Sequence, residues 1–201
     1  MKQLLLDIKP ASPPTLLNFI AGRNEEALAS LNAIADQAAQ SNFIYLWGET
    51  GSGKSHLLSA CKSIGMQVMD NVHLLDNDAQ IDLFNTYNQL KESGGTLITA
   101  GLHAPTQMGL RDDLATRLAW GLVYQLHSLN DAEKALALQN HATERGIRLP
   151  TEVVDYCLRH LRRDLSTLMA TLDALDEWSL TTKKPVTVPM LRQLLQLNLE
   201  G

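Results

Sequence analysis

The sequence has 201 residues, of which 45% are apolar and 19% are charged. This composition excludes an intrinsically disordered chain, and the length predicts one globular core with at most a small appended subdomain. The formal net charge of −5 does not provide the basic surface that neutralises phosphates, so autonomous nucleic-acid binding is not expected.

The first nine residues form a predicted tail that is separable from the folded body. Three prolines between residues 10 and 17 lack a backbone donor and fix φ, which favours an extended tether. Apolar spacing then predicts a first helix from Asn24, its expected N-cap, to about residue 38. The apolar run 43–47 predicts a buried strand that leads through a glycine-rich loop into a helix at 54–63.

Strands and helices are predicted to alternate up to about residue 127. Further strands are expected at 66–69, 96–99 and 122–126, and further helices at about 81–90 and 111–119. Such alternation favours a parallel sheet. Beyond Ser128 the sequence predicts helices alone, at 131–145 after a capping box, from Pro150, at 164–181 and from Pro189.

The sequence offers no candidate for an export signal or a membrane span. Asp7 and Lys9 interrupt the apolar start of the chain, which is too short for a signal peptide. The run 43–47 is far shorter than the roughly 20 residues of a membrane span. Because Cys61 and Cys157 lie far apart without a CxxC pair, we expect a reduced, cytoplasmic protein that does not contact a membrane.

The clearest motif in the chain is the loop 48–55, Gly-Glu-Thr-Gly-Ser-Gly-Lys-Ser, which matches G-x-x-x-x-G-K-[ST]. Its glycines allow backbone N–H groups to point into one concavity around phosphates, Lys54 would reach the β and γ oxygens, and Ser55 would bind Mg²⁺. A plain glycine-rich turn is the alternative, but the position between a strand and a helix favours nucleotide binding. The predicted binding residues of this loop are Gly48, Thr50, Gly51, Ser52, Gly53, Lys54 and Ser55.

A second nucleotide-binding element is predicted at Asp70, which ends the apolar stretch 66–69. A carboxylate at the end of the strand beside a P-loop can meet the Mg²⁺ ion together with Ser55, although it could also be an ordinary strand-ending Asp. The next residue, Asn71, stands where an ATPase of this type commonly has a second acid that polarises water. Because an amide cannot accept a proton, we expect slow or absent intrinsic hydrolysis.

These elements together resemble an AAA+ module, in particular the family of the bacterial replication initiator DnaA and its Hda-type regulators. Residues 18–24 resemble the family's adenine-side segment, 113–122 its arginine-finger segment and 164–168 its sensor-two segment. The resemblance extends from about Pro14 to Leu197.

The resemblance implies an α/β fold, namely an AAA+ P-loop module with a parallel-sheet base and a small α-helical lid. It divides the chain into a sliding-clamp-binding tail at 1–9, a nucleotide-binding base at 10–127 and a lid at 128–201. It also implies that Phe19 and Asn24 bind the nucleotide near its base.

The resemblance places Arg117 at the family's finger position, where the arginine enters the nucleotide site of a neighbouring molecule. Such a finger stabilises charge on the transferring phosphoryl group and can contribute about 10³ to 10⁵ in rate. The alternative is a surface arginine in solvated ion pairs, which contribute under about 1 kcal/mol.

The sequence also departs from the family pattern. Ser166 stands where the initiator has its sensor-two arginine, and residues 100–103 lack the usual acidic and basic pair of sensor one. Together with Asn71, these departures indicate a module that holds a nucleotide, expected to be ADP, without efficient turnover. The short interval from Lys54 to Asp70 further predicts a sheet that lacks one strand and helix.

The tail contains Gln-Leu-Leu-Leu-Asp-Ile at 3–8, which is similar to the sliding-clamp-binding peptide of Hda-type proteins. Gln3 can form hydrogen bonds at the rim of a pocket, whereas Leu4, Leu6 and Ile8 can fill apolar pockets, each burial contributing about 1.5 to 3 kcal/mol. Short apolar peptides of this kind also arise by chance.

The resemblance therefore implies a negative regulator of bacterial replication initiation, which binds ADP or ATP with Mg²⁺, docks on the DNA-loaded DNA polymerase III sliding clamp and stimulates ATP hydrolysis by DnaA. Direct sequence-specific DNA binding is not expected, because no counterpart of the initiator's helix-turn-helix domain follows the Pro189 helix. An autonomous P-loop ATPase, such as a helicase loader, is the chief alternative. A tethering adaptor in which Arg117 is structural is another, and homo-oligomer formation stays open.

Overall fold

Among the residues that the structure describes, helices and strands alternate as far as Ser128 and helices alone follow, as the hydrophobic patterns predict. The computed structural model of the protein describes residues 13–39, 41–161 and 164–197. By its internal contacts the chain divides into two units, one from Pro13 to Ser128 and the other from Leu129 onwards.

The described part of the first unit contains four strands and four α-helices. In chain order these are α1 (Glu25–Ala35), β1 (Phe43–Trp47), α2 (Lys54–Ser63), β2 (Gln67–Met69), α3 (Asn77–Ser93), β3 (Leu97–Gly101), α4 (Asp112–Trp120) and β4 (Leu122–Gln125). The strands form one sheet in the order β2-β3-β1-β4, and every neighbouring pair is parallel. The predicted parallel sheet is therefore confirmed.

Strand β1 lies inside the sheet and contributes side chains to both of its faces. Ile44 and Leu46 pack in one core with residues of α1 and α2. Tyr45 lies in the other core with Tyr87 of α3 and Leu114 of α4. This alternation is the period-two pattern of a strand that is covered on both faces, and it explains the continuous apolar run in the sequence.

The interval from Lys54 to Asp70 holds α2 and the three-residue strand β2, which lies at an edge of the sheet. The residues between them form the turn Ile64–Met66, closed by backbone hydrogen bonds to the last turn of α2. With so short a connection, the chain passes directly from the helix after the glycine loop to the strand that precedes Asp70.

Asn24 occupies the predicted N-cap position of α1, but its side-chain contacts are not those of a cap. Asn24 precedes α1, but its side chain forms no capping hydrogen bond. Both of its polar atoms instead bond the backbone of His127, because the segment before α1 lies against the chain that leaves β4. Helix α3 is longer than predicted and begins at Asn77, with the Asp76 side chain as its cap.

The second unit is helical and comprises α5 (Asp131–Glu144), α6 (Thr151–His160), α7 (Leu165–Thr182) and α8 (Val188–Leu197). The predicted capping box is confirmed, because Asn130 and Glu133 each accept a backbone hydrogen bond from the other. Leu168, Leu172 and Leu175 of α7 are buried in the core of this unit. No helix among the described residues has the length and apolar character to cross a membrane.

Candidate functional site

The predicted P-loop connects the carboxyl end of β1 to the start of α2. Gly48, Gly51 and Gly53 have φ values of 150°, 84° and 97°, a region that residues with a Cβ rarely adopt. A Cβ at Gly48 would overlap the carbonyl oxygen of Leu126, and a Cβ at Gly53 would overlap the ring of Phe19. The loop therefore needs glycine both for its turns and for close approach to its neighbours.

The amino terminus of α2 faces this loop without a side-chain cap, since its N-cap is Gly53. The N–H groups in the first turn of an α-helix have no partner inside the helix and carry partial positive charge. Thr50 and Gly51 are exposed at the tip of the loop, whereas Ser52 is buried and donates its N–H to the carbonyl of Glu49 at 3.2 Å. The loop therefore offers the donors that an anion requires.

Lys54 points back into the loop instead of into solvent. Its Nζ donates to the carbonyl oxygens of Gly48 at 2.6 Å and Glu49 at 2.8 Å, and 9% of the residue is exposed. Burial lowers the pKa of Lys54, and the negative charge of Asp70 partly opposes that shift. Because hydrogen bonds to charged acceptors are stronger than those to carbonyls, phosphate oxygens in the loop would compete effectively for this ammonium.

Ser55 and Asp70 are brought together by the helix and by the strand next to it. The Ser55 hydroxyl donates to Asp70 Oδ2 at 2.8 Å, and the N–H of Asn71 donates to Asp70 Oδ1 at 2.7 Å. Hydroxyl and carboxylate oxygens are ligands that suit Mg²⁺. Within the described ranges no group of three or more His, Cys, Asp or Glu could hold a metal.

Phe19 lies beside the start of α2, where its ring centroid is 5.4 Å from that of His56. The side chain of Asn24 is 4% exposed and is engaged with His127, accepting from its N–H at 2.7 Å and donating to its carbonyl at 2.9 Å. Phe19 thus borders the P-loop directly. Asn24 fixes the chain segment that carries Phe19, and each of its polar atoms already has one hydrogen-bond partner.

Arg117 lies in the last turn of α4 and is half-buried. Its guanidinium carbon is 4.2 Å from the centroid of the Trp120 ring and 5.6 Å from that of Phe84. In the parts of the chain that the structure describes, its guanidinium forms no hydrogen bond or ion pair. By contrast Arg111, at the start of the same helix, pairs with Asp113 at 2.9 Å.

The remaining predicted residues lie elsewhere. Ser166 is exposed in the first turn of α7, in the second unit. Gln3, Leu4, Leu6 and Ile8 of the predicted clamp-binding peptide lie outside the described residues.

Sequence reasoning missed the aromatic neighbours of Arg117. Trp120 follows Arg117 by three positions, a spacing that places two side chains on one face of a helix. The predicted helix at 111–119 stopped one residue short of Trp120, and the contribution of Phe84 depends on the packing of α3 against α4.

Two family profiles match this chain. Residues 131–195 match the profile described as the lid domain of Hda, and residues 13–73 match that of the bacterial DnaA ATPase domain.

Several solved structures are similar to this chain. Domain III of the replication initiation protein DnaA from Thermotoga maritima is 22% identical, with a TM-score of 0.71 over 94% of this chain and 98% of that one. AMPPCP-bound DnaA from Aquifex aeolicus is 22% identical, with a TM-score of 0.65 over 87% and 69%. The RuvB Holliday junction branch migration motor of Thermotoga maritima is 14% identical, with a TM-score of 0.62 over 92% and 72%. At these identities the structures establish the shared AAA+ fold.

Proposed function

Because the chain is a DnaA-related AAA+ protein with a lid of the Hda type, we propose that it limits bacterial replication initiation. It holds an adenine nucleotide in its own P-loop and presents Arg117 to the ATP of the initiator DnaA. The protein is bound to DNA through the sliding clamp, and Arg117 stimulates hydrolysis of the ATP that DnaA holds.

The observation that carries this proposal is the location of Arg117 relative to the P-loop of its own chain. Helix α4 leads from the carboxyl end of β3 to the amino end of β4. Its last turn therefore lies near the amino-terminal ends of the parallel strands. Gly121, which follows α4, packs so closely on Phe43 that a Cβ would overlap the Phe43 carbonyl oxygen. Phe43 is the first residue of β1, whereas the P-loop follows the last.

Arg117 and the P-loop of the same chain thus lie near opposite ends of strand β1. The five residues of β1 separate them, a span of roughly 13 to 16 Å at about 3.3 Å per residue. This separation supports a role for Arg117 at the nucleotide of another molecule.

The free donors of Arg117 suit that role. A guanidinium has five N–H donors in one plane, and it can bind two oxygens of a phosphate at once. A partner's γ-phosphate develops charge on its oxygens during transfer, and an arginine supplied from outside stabilises that charge, accelerating hydrolysis by about 10³ to 10⁵.

The P-loop of this chain serves to keep the module assembled around a bound nucleotide, which we propose to be ADP. The loop amides, the α2 terminus and Lys54 hold its phosphates, and Ser55 and Asp70 hold the Mg²⁺ ion, which neutralises charge on the phosphate oxygens. Asn71 is exposed beside Asp70, and its amide cannot act as a general base. Slow turnover of the chain's own nucleotide follows.

The central test measures ATP hydrolysis by DnaA in the presence of this protein, the sliding clamp and DNA. Arg117→Ala should abolish stimulation while preserving nucleotide and clamp binding. Arg111→Ala is the matched control, since it removes an arginine of the same helix that is already ion-paired. Undiminished stimulation by Arg117→Ala would replace the proposal with a tethering adaptor, and rapid ATP hydrolysis without DnaA would favour an autonomous ATPase.

Docking on the clamp is tested separately. Gln3→Ala combined with Leu6→Ala should abolish binding to the clamp in a pull-down, while leaving the affinity for nucleotide unchanged. Exchange of Asp7 for Asn is the control, because Asp7 lies between two of the pocket-filling residues without being one. Full clamp affinity in the double variant would exclude the tail as the docking element.

A further inference from the structure

Trp120 is 57% exposed although its side chain is among the largest apolar groups of the first unit. Its ring contacts two cations, Arg117 at 4.2 Å and Lys91 at 4.6 Å from the centroid. Core packing does not account for a tryptophan in that position. Its described contacts indicate a role toward the charged groups that it touches.

The arrangement is produced by helical spacing on two neighbouring elements. Arg117 and Trp120 stand three positions apart on α4, and Phe84, Tyr87 and Lys91 recur at the spacing of one face of α3. Phe84 contributes a second ring at 5.6 Å from the Arg117 guanidinium carbon. Tyr87 lies close enough for the positive charge of Arg117 to lower its pKa, against the larger upward effect of burial.

The contact with the rings restrains the guanidinium without occupying its hydrogen-bond donors. A cation over an aromatic ring is attracted to the ring face, whereas its N–H groups radiate in the guanidinium plane. An ion pair would restrain the side chain too, as for Arg111 with Asp113, but it would occupy the donors that a phosphate needs. Arg117 therefore lies against two rings and retains its donors.

We propose that Trp120, assisted by Phe84, is the positioning residue of Arg117: the two rings form a shelf that holds the guanidinium ready for the phosphate of a partner's nucleotide. This inference rests on the proposed function of Arg117. The shelf raises the rate by removing the need to order a long, flexible side chain at each encounter.

A first experiment tests the shelf by the maximal rate of DnaA hydrolysis at saturating concentrations of this protein. Trp120→Ala should lower that rate about tenfold, an effect of orientation alone, with no change in the concentration that gives half-maximal stimulation. Trp120→Phe should restore most of the rate, because a ring remains under the guanidinium. Equal maximal rates for wild type and Trp120→Ala would overturn the proposal.

The same titration separates positioning from direct contact with the partner. Leu122, also exposed and two residues further along, serves as the control through Leu122→Ala. If Trp120 were instead part of a contact surface, Trp120→Ala and Leu122→Ala would both raise the half-maximal concentration and leave the maximal rate intact. That outcome would also overturn the proposal. Circular dichroism of each variant verifies that it folds.

A second experiment needs no DnaA and therefore distinguishes failure of the shelf from failure of the proposed function. The indole N–H resonance of Trp120, assigned by its loss in Trp120→Phe, should shift in Arg117→Ala and stay in place in Arg111→Ala. An unchanged resonance in Arg117→Ala would refute the contact between Arg117 and the Trp120 ring. A shifted resonance together with undiminished stimulation by Arg117→Ala would confirm the contact between Arg117 and Trp120. It would refute the proposed function of Arg117, and with it the role of the shelf.

Discussion

Asn24 is joined to the backbone of His127 by a pair of hydrogen bonds, accepting from its N–H at 2.7 Å and donating to its carbonyl at 2.9 Å. The side-chain amide thus bonds both the N–H and the carbonyl of one residue just beyond β4, as the backbone of a paired strand does. Since Asn24 directly follows the segment that carries Phe19, this pair fixes where that ring lies beside the P-loop.

Asn24→Ala should lower the free energy of unfolding by about 1 to 3 kcal/mol, because it leaves two part-buried backbone groups of His127 without these partners. Urea denaturation measures the effect. Asn18→Ala is the control, since Asn18 is exposed and bonds Thr15 and Pro13 within its own turn. A loss no greater than that of the control would mean that the two bonds do not stabilise the base.

Lys54→Ala should weaken nucleotide binding by about 1.5 to 3 kcal/mol, the usual effect of losing one charged hydrogen-bond partner. Isothermal titration calorimetry with ADP and with ATP gives the affinities. Lys62→Ala is the matched control, because Lys62 lies on the same helix but is exposed at its far end. Equal affinities for wild type and Lys54→Ala would contradict the role of Lys54.

Asp70→Asn should reduce the Mg²⁺ dependence of nucleotide affinity. The carboxylate accepts from the Ser55 hydroxyl at 2.8 Å, and an amide in its place is a weaker ligand for a hard cation. Calorimetry with and without Mg²⁺ should therefore give a smaller difference for the variant than for wild type. Asp82→Asn, an exposed position on α3, should retain the full difference.

Should Asp70→Asn retain the full Mg²⁺ effect as well, the carboxylate would be an ordinary strand-ending residue that orients Ser55. The affinity measured without Mg²⁺ is informative too. It should change little, because Lys54 and the loop amides hold the phosphates in either case.

Local patterns predicted those parts of the fold that are set by neighbours in sequence. The run 43–47 became β1, and the capping box at Asn130 opens α5, since each depends on a few adjacent residues. The position of Asn24 before α1 follows from the local pattern, but its side-chain partner does not, because that partner is His127, more than a hundred residues away.

In the candidate site, too, local sequence patterns predicted the features set by adjacent residues but not the long-range contacts. The order of glycines, Lys54 and Ser55 is local, so the motif located the loop. The separation of Arg117 from that loop depends on sheet order, and the contact of Arg117 with Phe84 depends on how α3 packs against α4. Neither relationship can be inferred from spacing within a single element.

The two cysteines should report on the two units separately. Burial raises the pKa of Cys61 in α2 and of Cys157 in α6 to about 11, so that at about pH 8 only about one thiol in a thousand is ionised. Since the thiolate is the nucleophile, iodoacetamide should label both residues slowly in the native protein and rapidly in concentrated urea. Mass spectrometry of the peptides identifies which residue has reacted.

The raised pKa of the two thiols also determines how the free energy of unfolding changes with pH. A thiol whose pKa is higher in the folded state stabilises the fold fully below its unfolded pKa, and this contribution is lost as the pH rises through the folded value. The free energy of unfolding should therefore fall between about pH 9 and pH 11, and less steeply in Cys157→Ala. Rapid labelling of either cysteine in the native protein would show that its helix opens, and labelling of Cys157 before Cys61 at intermediate urea would mean that the helical unit unfolds first.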